Sequence, residues 1–142
     1  MRKTTGLLSV LVLGAAVAGP VASAQAAPAP AQVSAASCHS LVVKTNSAND
    51  KALSADRAHS YKKAIGHNKT TQKYAVQGQG ACRHARHAAE IRDALHAAQQ
   101  GARRAELNNK RAHAEHDARA GRAAFHDEEE VKMRLRDALR YV

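Results

Sequence analysis

Apolar and polar positions along this chain repeat with the period of a helix, and no stretch alternates as a strand would. Ala88, Ile91, Leu95, Ala98, Ala102 and Ala105 follow steps of three and four, which places them on one helical face. The surrounding run, 81–119, contains no proline and a single glycine, Gly101. It predicts one long Ala-rich helix. Gly101 is the point where it could break, because glycine costs about 1 kcal/mol in a helix interior. Gly121 is the expected end of that helix. A last helix is expected from His126-Asp127 onward, with Glu128, Glu129 and Glu130 in its first turn, where the helix dipole favours acids. Its stripe is Val131, Leu135, Ala138 and Val142.

Upstream the pattern is weaker. Residues 38–44 predict a turn or two of helix. Ser47 followed by Asp50 reads as a capping box opening a helix over 50–65, with Leu53, Ala58, Tyr61 and Ile65 on one side and Gly66 as its C-terminal cap. Residues 67–71 read as a polar connection, 72–77 as a short helix, and Gln77-Gly78-Gln79-Gly80 as a turn.

The N-terminus changes how the composition is read. Arg2 and Lys3 precede an apolar run, 6–19, and small residues follow Pro20 in A-x-A patterns. That is the layout of a secretory signal over 1–26, shorter than the about 20 apolar residues a membrane span needs. With no paired arginine, the general secretory route and an extracellular location are the expectation. A Pro/Ala linker over 27–37 then leads to one helical domain over 38–142. Without the signal, large apolar residues are sparse and alanine dominates. The expected fold is therefore all-α, a small helical bundle or hairpin with thin Ala-packed interfaces. An Ala stripe packs equally well within a monomer or between two chains, so self-association is open at this level.

Cys38 and Cys82 are the only cysteines, and in an exported chain two cysteines most economically form one disulfide. It closes a loop worth about 4 kcal/mol by the chain-entropy argument.

The formal net charge is +10, and +8 without the two basic residues of the signal. Such a chain adheres to anionic surfaces. The best candidate patch is Lys62, Lys63, Lys69 and Lys73 with Tyr61 and Tyr74, since aromatics among lysines can stack on bases while the lysines meet phosphate. Histidine is the other enriched type. His84 and His87 lie three apart, as do His113 and His116, and Glu106-x6-His113-x2-His116 with Asp117 nearby offers imidazole and carboxylate ligands for zinc, copper or nickel. On one unbroken helix both pairs would continue the apolar stripe at its ends.

Nothing in the chain points to catalysis. It has no G-x-S-x-G, no HExxH and no phosphate-cradling glycine loop. The leading expectation is a basic, non-enzymatic exported protein, with no resident cofactor, that binds a partner protein or anionic cell-envelope polymer, non-specific nucleic acid being a further polyanion. The alternative is a transition-metal binder using the His pairs.

Overall fold

Four helices account for nearly all of residues 35–142, the part of the chain that the computed structural model describes, with side chains described from Ser37 onward. The predicted signal and most of the predicted linker lie outside these residues. The helices are α1 (Ala35–Arg57), α2 (Tyr61–Ala81), α3 (Ala88–Glu115) and α4 (Ala118–Leu139). α1 packs on α2, α2 on α3, α3 on α4, and α4 back on α1. Short connections between neighbours give an up-down-up-down four-helix bundle. The fold is all-α, and Cys38 and Cys82 form a disulfide with Cα atoms 4.8 Å apart. No helix among the described residues is long and apolar enough to cross a membrane.

Several boundaries differ from those the sequence predicts. The long helix starts at Ala88 rather than 81, because Cys82 caps α2 and the chain then turns through 83–87. It is continuous through Gly101. The break falls instead at His116, which adopts left-handed backbone (φ 53°), and Asp117, which caps α4 by accepting from the backbone N–H of Arg119 and Ala120 at 2.8 and 3.1 Å. α4 therefore begins well before His126 and runs through Gly121. The predicted helix over 50–65 is two helices. His59 takes φ 50°, and Ser60 N–H bonds back to Ala55 O at 2.8 Å to close the reversal. Ser47 caps nothing, since α1 is already helical from Ala35 through the end of the predicted linker. The predicted connection and turn at 67–71 and 77–80 are both inside α2, with Gly66 interior to it.

Glycines inside these helices separate into two kinds. A Cβ on Gly101 would sit 2.5 Å from Val131 Cγ2, and one on Gly78 would sit 2.9 Å from Leu95 Cδ1. At these two positions the missing side chain lets neighbouring helices close. Gly66 has nothing within 4 Å of such a Cβ.

The interior changes character along the bundle axis. Near the disulfide it is apolar: Cys38, Val42, Ala75, Cys82, Ile91, Leu95, Ala98, Val131, Leu135 and Ala138 pack together. In the other half the buried positions include Thr45, Asn49, Asp56, Asn68, Thr71, Glu106, Asn109 and Glu128. Thr45 and Thr71 bond back to the carbonyls of Leu41 and His67, but the amides and carboxyls reach across helices.

Two glycine substitutions should move stability in opposite directions. Gly66→Ala should stabilise by up to about 1 kcal/mol through helix propensity alone. Gly101→Ala should destabilise by about 1–2 kcal/mol, the overpacking against Val131 outweighing the same propensity gain. Urea denaturation of both variants checks this. Replacing both cysteines with serine should lower stability by about 4 kcal/mol in the same assay.

Candidate functional site

Each set of candidate residues has a definite place on the bundle. The two histidine pairs fall at opposite ends of α3. His87 is its N-cap, His84 lies exposed in the preceding turn, His113 is in the last helical turn, and His116 is the C-cap. The 26 residues from His87 to His113 span about 39 Å of helix, so one protomer cannot bring the pairs to one ion. His87 is engaged locally, with its ring 5.0 Å from that of Tyr141 and Nδ1 3.8 Å from Glu90.

The carboxylates predicted to join them are otherwise committed. Glu106 accepts from Gln72 at 2.8 Å and pairs with Lys110 at 2.6 Å. Burial pushes its carboxyl up, but the Lys110 and Gln72 contacts outweigh that and leave it below the usual range. Asp117 is the α4 cap, and the Ala120 and Arg119 N–H groups with nearby Arg111 hold it low. Among the described residues no group of three or more His, Cys, Asp and Glu side chains could hold a metal ion.

The basic patch is partly reassembled. Lys62, Lys63, Lys69 and Lys73 are all exposed on α2, which carries no carboxylate at all. The two tyrosines do not flank a common surface. Tyr61 lies on Gly121 of α4, where a Cβ would meet its hydroxyl at 2.7 Å, and bonds His59 at 3.2 Å. Tyr74 lies on the other flank, beside α1. There the sequence reading missed two lysines, because they belong to a different helix. Lys44 and Lys51 of α1 join Ser47, His67, Thr70 and Tyr74 around a groove of about 200 Å³. No carboxylate lines it. Asp50, on the far flank of α1, is paired with Lys132 of α4 at 2.8 Å.

A third feature has no counterpart in the predicted sites. Glu128 sits at the centre of the polar half, fully buried. Asn68 of α2 donates to its Oε1 at 2.7 Å, and Asn109 of α3 lies 3.3 Å from the same oxygen. Asn109 also donates to Asp56 Oδ2 of α1 at 3.0 Å, and Asn49 donates to the Glu128 main-chain oxygen at 2.9 Å. Glu128 is thus tied to all three other helices, through its side chain to α2 and α3 and through its backbone oxygen to α1. The Asp56 and Glu128 carboxyls lie close enough for each to perturb the other. Burial, and then the charge of Asp56, push Glu128 up to about 9, and burial also raises Asp56. At neutral pH the pair holds a proton between two carboxyls, the arrangement in which like charges cannot both ionise. Asp56 also lines a cavity of about 490 Å³ between the end of α1 and α4, with Arg57, Tyr61, Gly121, Arg122 and Phe125. Arg57 caps that cavity with its guanidinium 5.4 Å from the Phe125 ring centroid.

Fold and interior together define a disulfide-stapled four-helix bundle with a carboxyl node buried at its polar end. No protein-family model matches the chain, and neither a curated protein nor a solved structure is found similar to it.

The node makes stability depend on pH in a stated direction. The folded Glu128 keeps its proton while the unfolded one loses it near 4.5. The resulting stabilisation is complete below that value and is lost as pH rises through the folded value of about 9. Denaturation midpoints in EDTA-containing buffer should therefore fall between those limits. Glu128→Gln keeps the shape, can still accept from Asn68 and can donate to Asp56. It should flatten the profile and raise the midpoint at pH 8.

Proposed function

We propose that this protein is an exported, non-enzymatic binder of anionic cell-envelope polymer, engaging it through the face formed by α1 and α2. The observation that carries this reading is the carboxylate-free groove between Lys44 and Lys51 on one side and His67, Thr70 and Tyr74 on the other. The four lysines of α2 are exposed as well, although none of them lines the groove itself. Elsewhere on the bundle several basic side chains are drawn into pairs: Arg104 with Asp127 and Glu130 at 3.0 Å each, Lys110 with Glu106, and Lys132 with Asp50. α2 itself carries no acid, and Glu106 of α3 reaches the field of only one of its lysines, Lys69, so most of the positive field there adds up. The Ser47 and Tyr74 hydroxyls stand in the groove as donors beside the ammonium groups of Lys44 and Lys51. Nothing in the arrangement reads sequence or a particular sugar, so affinity should come mainly from released counterions.

Attachment to purified anionic wall polymer should weaken steeply between 50 and 200 mM salt, as expected for several charge contacts. The double variant Lys44→Gln/Lys51→Gln should reduce the log–log salt slope by roughly 1.4, taking about 0.7 per lost contact on a flexible strand. Arg134→Gln on α4 should leave it unchanged. Salt-insensitive attachment, or an unchanged slope in the double variant, would remove this reading.

A further inference from the structure

The node around Glu128 contains more oxygen than its own hydrogen bonds use. The Asp56 Oδ1, Glu128 Oε2, Asn49 Oδ1, Asn68 Oδ1 and Asn109 Oδ1 atoms are all buried without a partner. Asn49, Asn68, Asn109 and Glu128 are 0% exposed and Asp56 is 5% exposed. A buried polar atom left unsatisfied costs about 1–3 kcal/mol, so such a cluster is not neutral packing. A proton shared by the two carboxyls satisfies Asp56 Oδ1 and Glu128 Oε2 but leaves the amide carbonyls as they are. No lysine, arginine or histidine forms an ion pair with either carboxyl among the described residues. Buried carboxylates ordinarily have a cationic partner.

The donor chemistry identifies one. It consists of carboxylate and amide oxygens only, with no imidazole or thiolate, and such a set suits a hard cation. An asparagine amide has nearly the same shape after a half-turn about its last bond, which exchanges nitrogen and oxygen. In Asn68 and Asn109 that half-turn puts carbonyl oxygens where the N–H groups now stand, 2.7 to 3.3 Å from carboxylate oxygens, and moves the NH2 groups to the positions the oxygens leave, so the bonds gained to an ion replace the present hydrogen bonds. Neighbouring oxygens around a cation held at about 2.4 Å are roughly 2.8 Å apart in a pentagonal ring, the flexible geometry that Ca2+ accepts. Mg2+ requires a tighter octahedron and retains waters.

We propose that Asp56, Glu128, Asn68 and Asn109 form a buried Ca2+ site, one ligand-bearing helix on each side of the bundle. Two carboxylates balance the ion's charge, and their four oxygens with two carbonyls supply six donors. Asn49 fixes the α4 backbone at Glu128 and so sets the height of that ligand. The cavity between α1 and α4 leads from solvent to Asp56, the ligand nearest the surface. The site is separate from the α1–α2 groove, so Ca2+ binding and polymer attachment can fail independently.

Calorimetric titration of the oxidised, EDTA-stripped protein with CaCl2 tests this, with MgCl2 as the comparison ion. One saturable site per chain is expected, weaker for Mg2+, together with a Ca2+-dependent rise in Tm. Asp56→Asn and Glu128→Gln should each raise the Ca2+ Kd at least about tenfold. Glu90→Gln, exposed in the first turn of α3, should not. Should either ligand variant fail to fold, Asn68→Asp decides. It adds a third carboxylate, so its Tm should fall in EDTA and be restored by CaCl2, with tighter binding than the native protein. Absence of saturable binding, binding unaltered in both Asp56→Asn and Glu128→Gln, or an Asn68→Asp Tm indifferent to CaCl2 would each overturn the proposal.

Discussion

Glu128 is the side chain on which the register of this bundle depends. It stands on α4, receives Asn68 from α2 and Asn109 from α3, and faces Asp56 of α1. A helix interface lined by alanine offers shallow ridges, and several sliding positions bury similar area. A hydrogen-bonded node with one fitting arrangement removes that freedom. Moving any helix by one turn would separate its polar group from the others and leave a carboxyl or amide buried alone, at a cost of kcal/mol rather than tenths. The disulfide acts at the opposite end, where Cys38 and Cys82 join α1 to the end of α2. The bundle is thus pinned covalently at one end and by polar contacts at the other, with most of its few large apolar side chains packed with the covalent pin.

This division explains how so little apolar material can hold four helices. Ile91, Leu95, Val42, Val131 and Leu135 cluster in one half, and Leu53 is the one leucine buried outside that cluster. Gly78 and Gly101 let that half close tightly, because each opposes a branched side chain that a methyl group would displace. Apolar residues in place of the node would be expected to hold the polar half at least as stably, since buried charge is weak evidence for stability. That the node is there at all is the strongest reason to look for a ligand at it.

The same contrast decides what the sequence made legible. The faces of α3 and α4 carry Ile91, Leu95, Val131 and Leu135, and their periodicity identified the buried stripe directly. Val142, read as part of the α4 stripe, lies beyond that helix and is 37% exposed. α2 was not legible, because its buried face is Ala64, Asn68, Thr71, Ala75 and Gly78. Three of those five read as surface or turn residues by any hydropathy pattern, and Gly66 and Gly80 add further false stops. The polar node is invisible for a related reason. Asn49, Asp56, Asn68, Asn109 and Glu128 come from four helices at spacings set only by how the bundle folds. In the sequence Glu128 looks like one acid among three opening a helix, yet two turns of α4 precede it and it faces inward while Glu129 is exposed.

Charge follows the same logic at the surface. The lysines of α2 were legible as a group because they are close in sequence, whereas Lys44 and Lys51 join them only through the packing of α1 on α2. Tyr61 leaves the group for the opposite reason: the small residue at Gly121 gives its ring a seat on α4. A polymer lying along the α1–α2 seam would therefore meet lysines and hydroxyls from two helices with one aromatic ring among them, that of Tyr74. Stacking on bases contributes little to such a surface. Its affinity should rise with the charge density of the polymer and be nearly indifferent to whether that polymer carries bases.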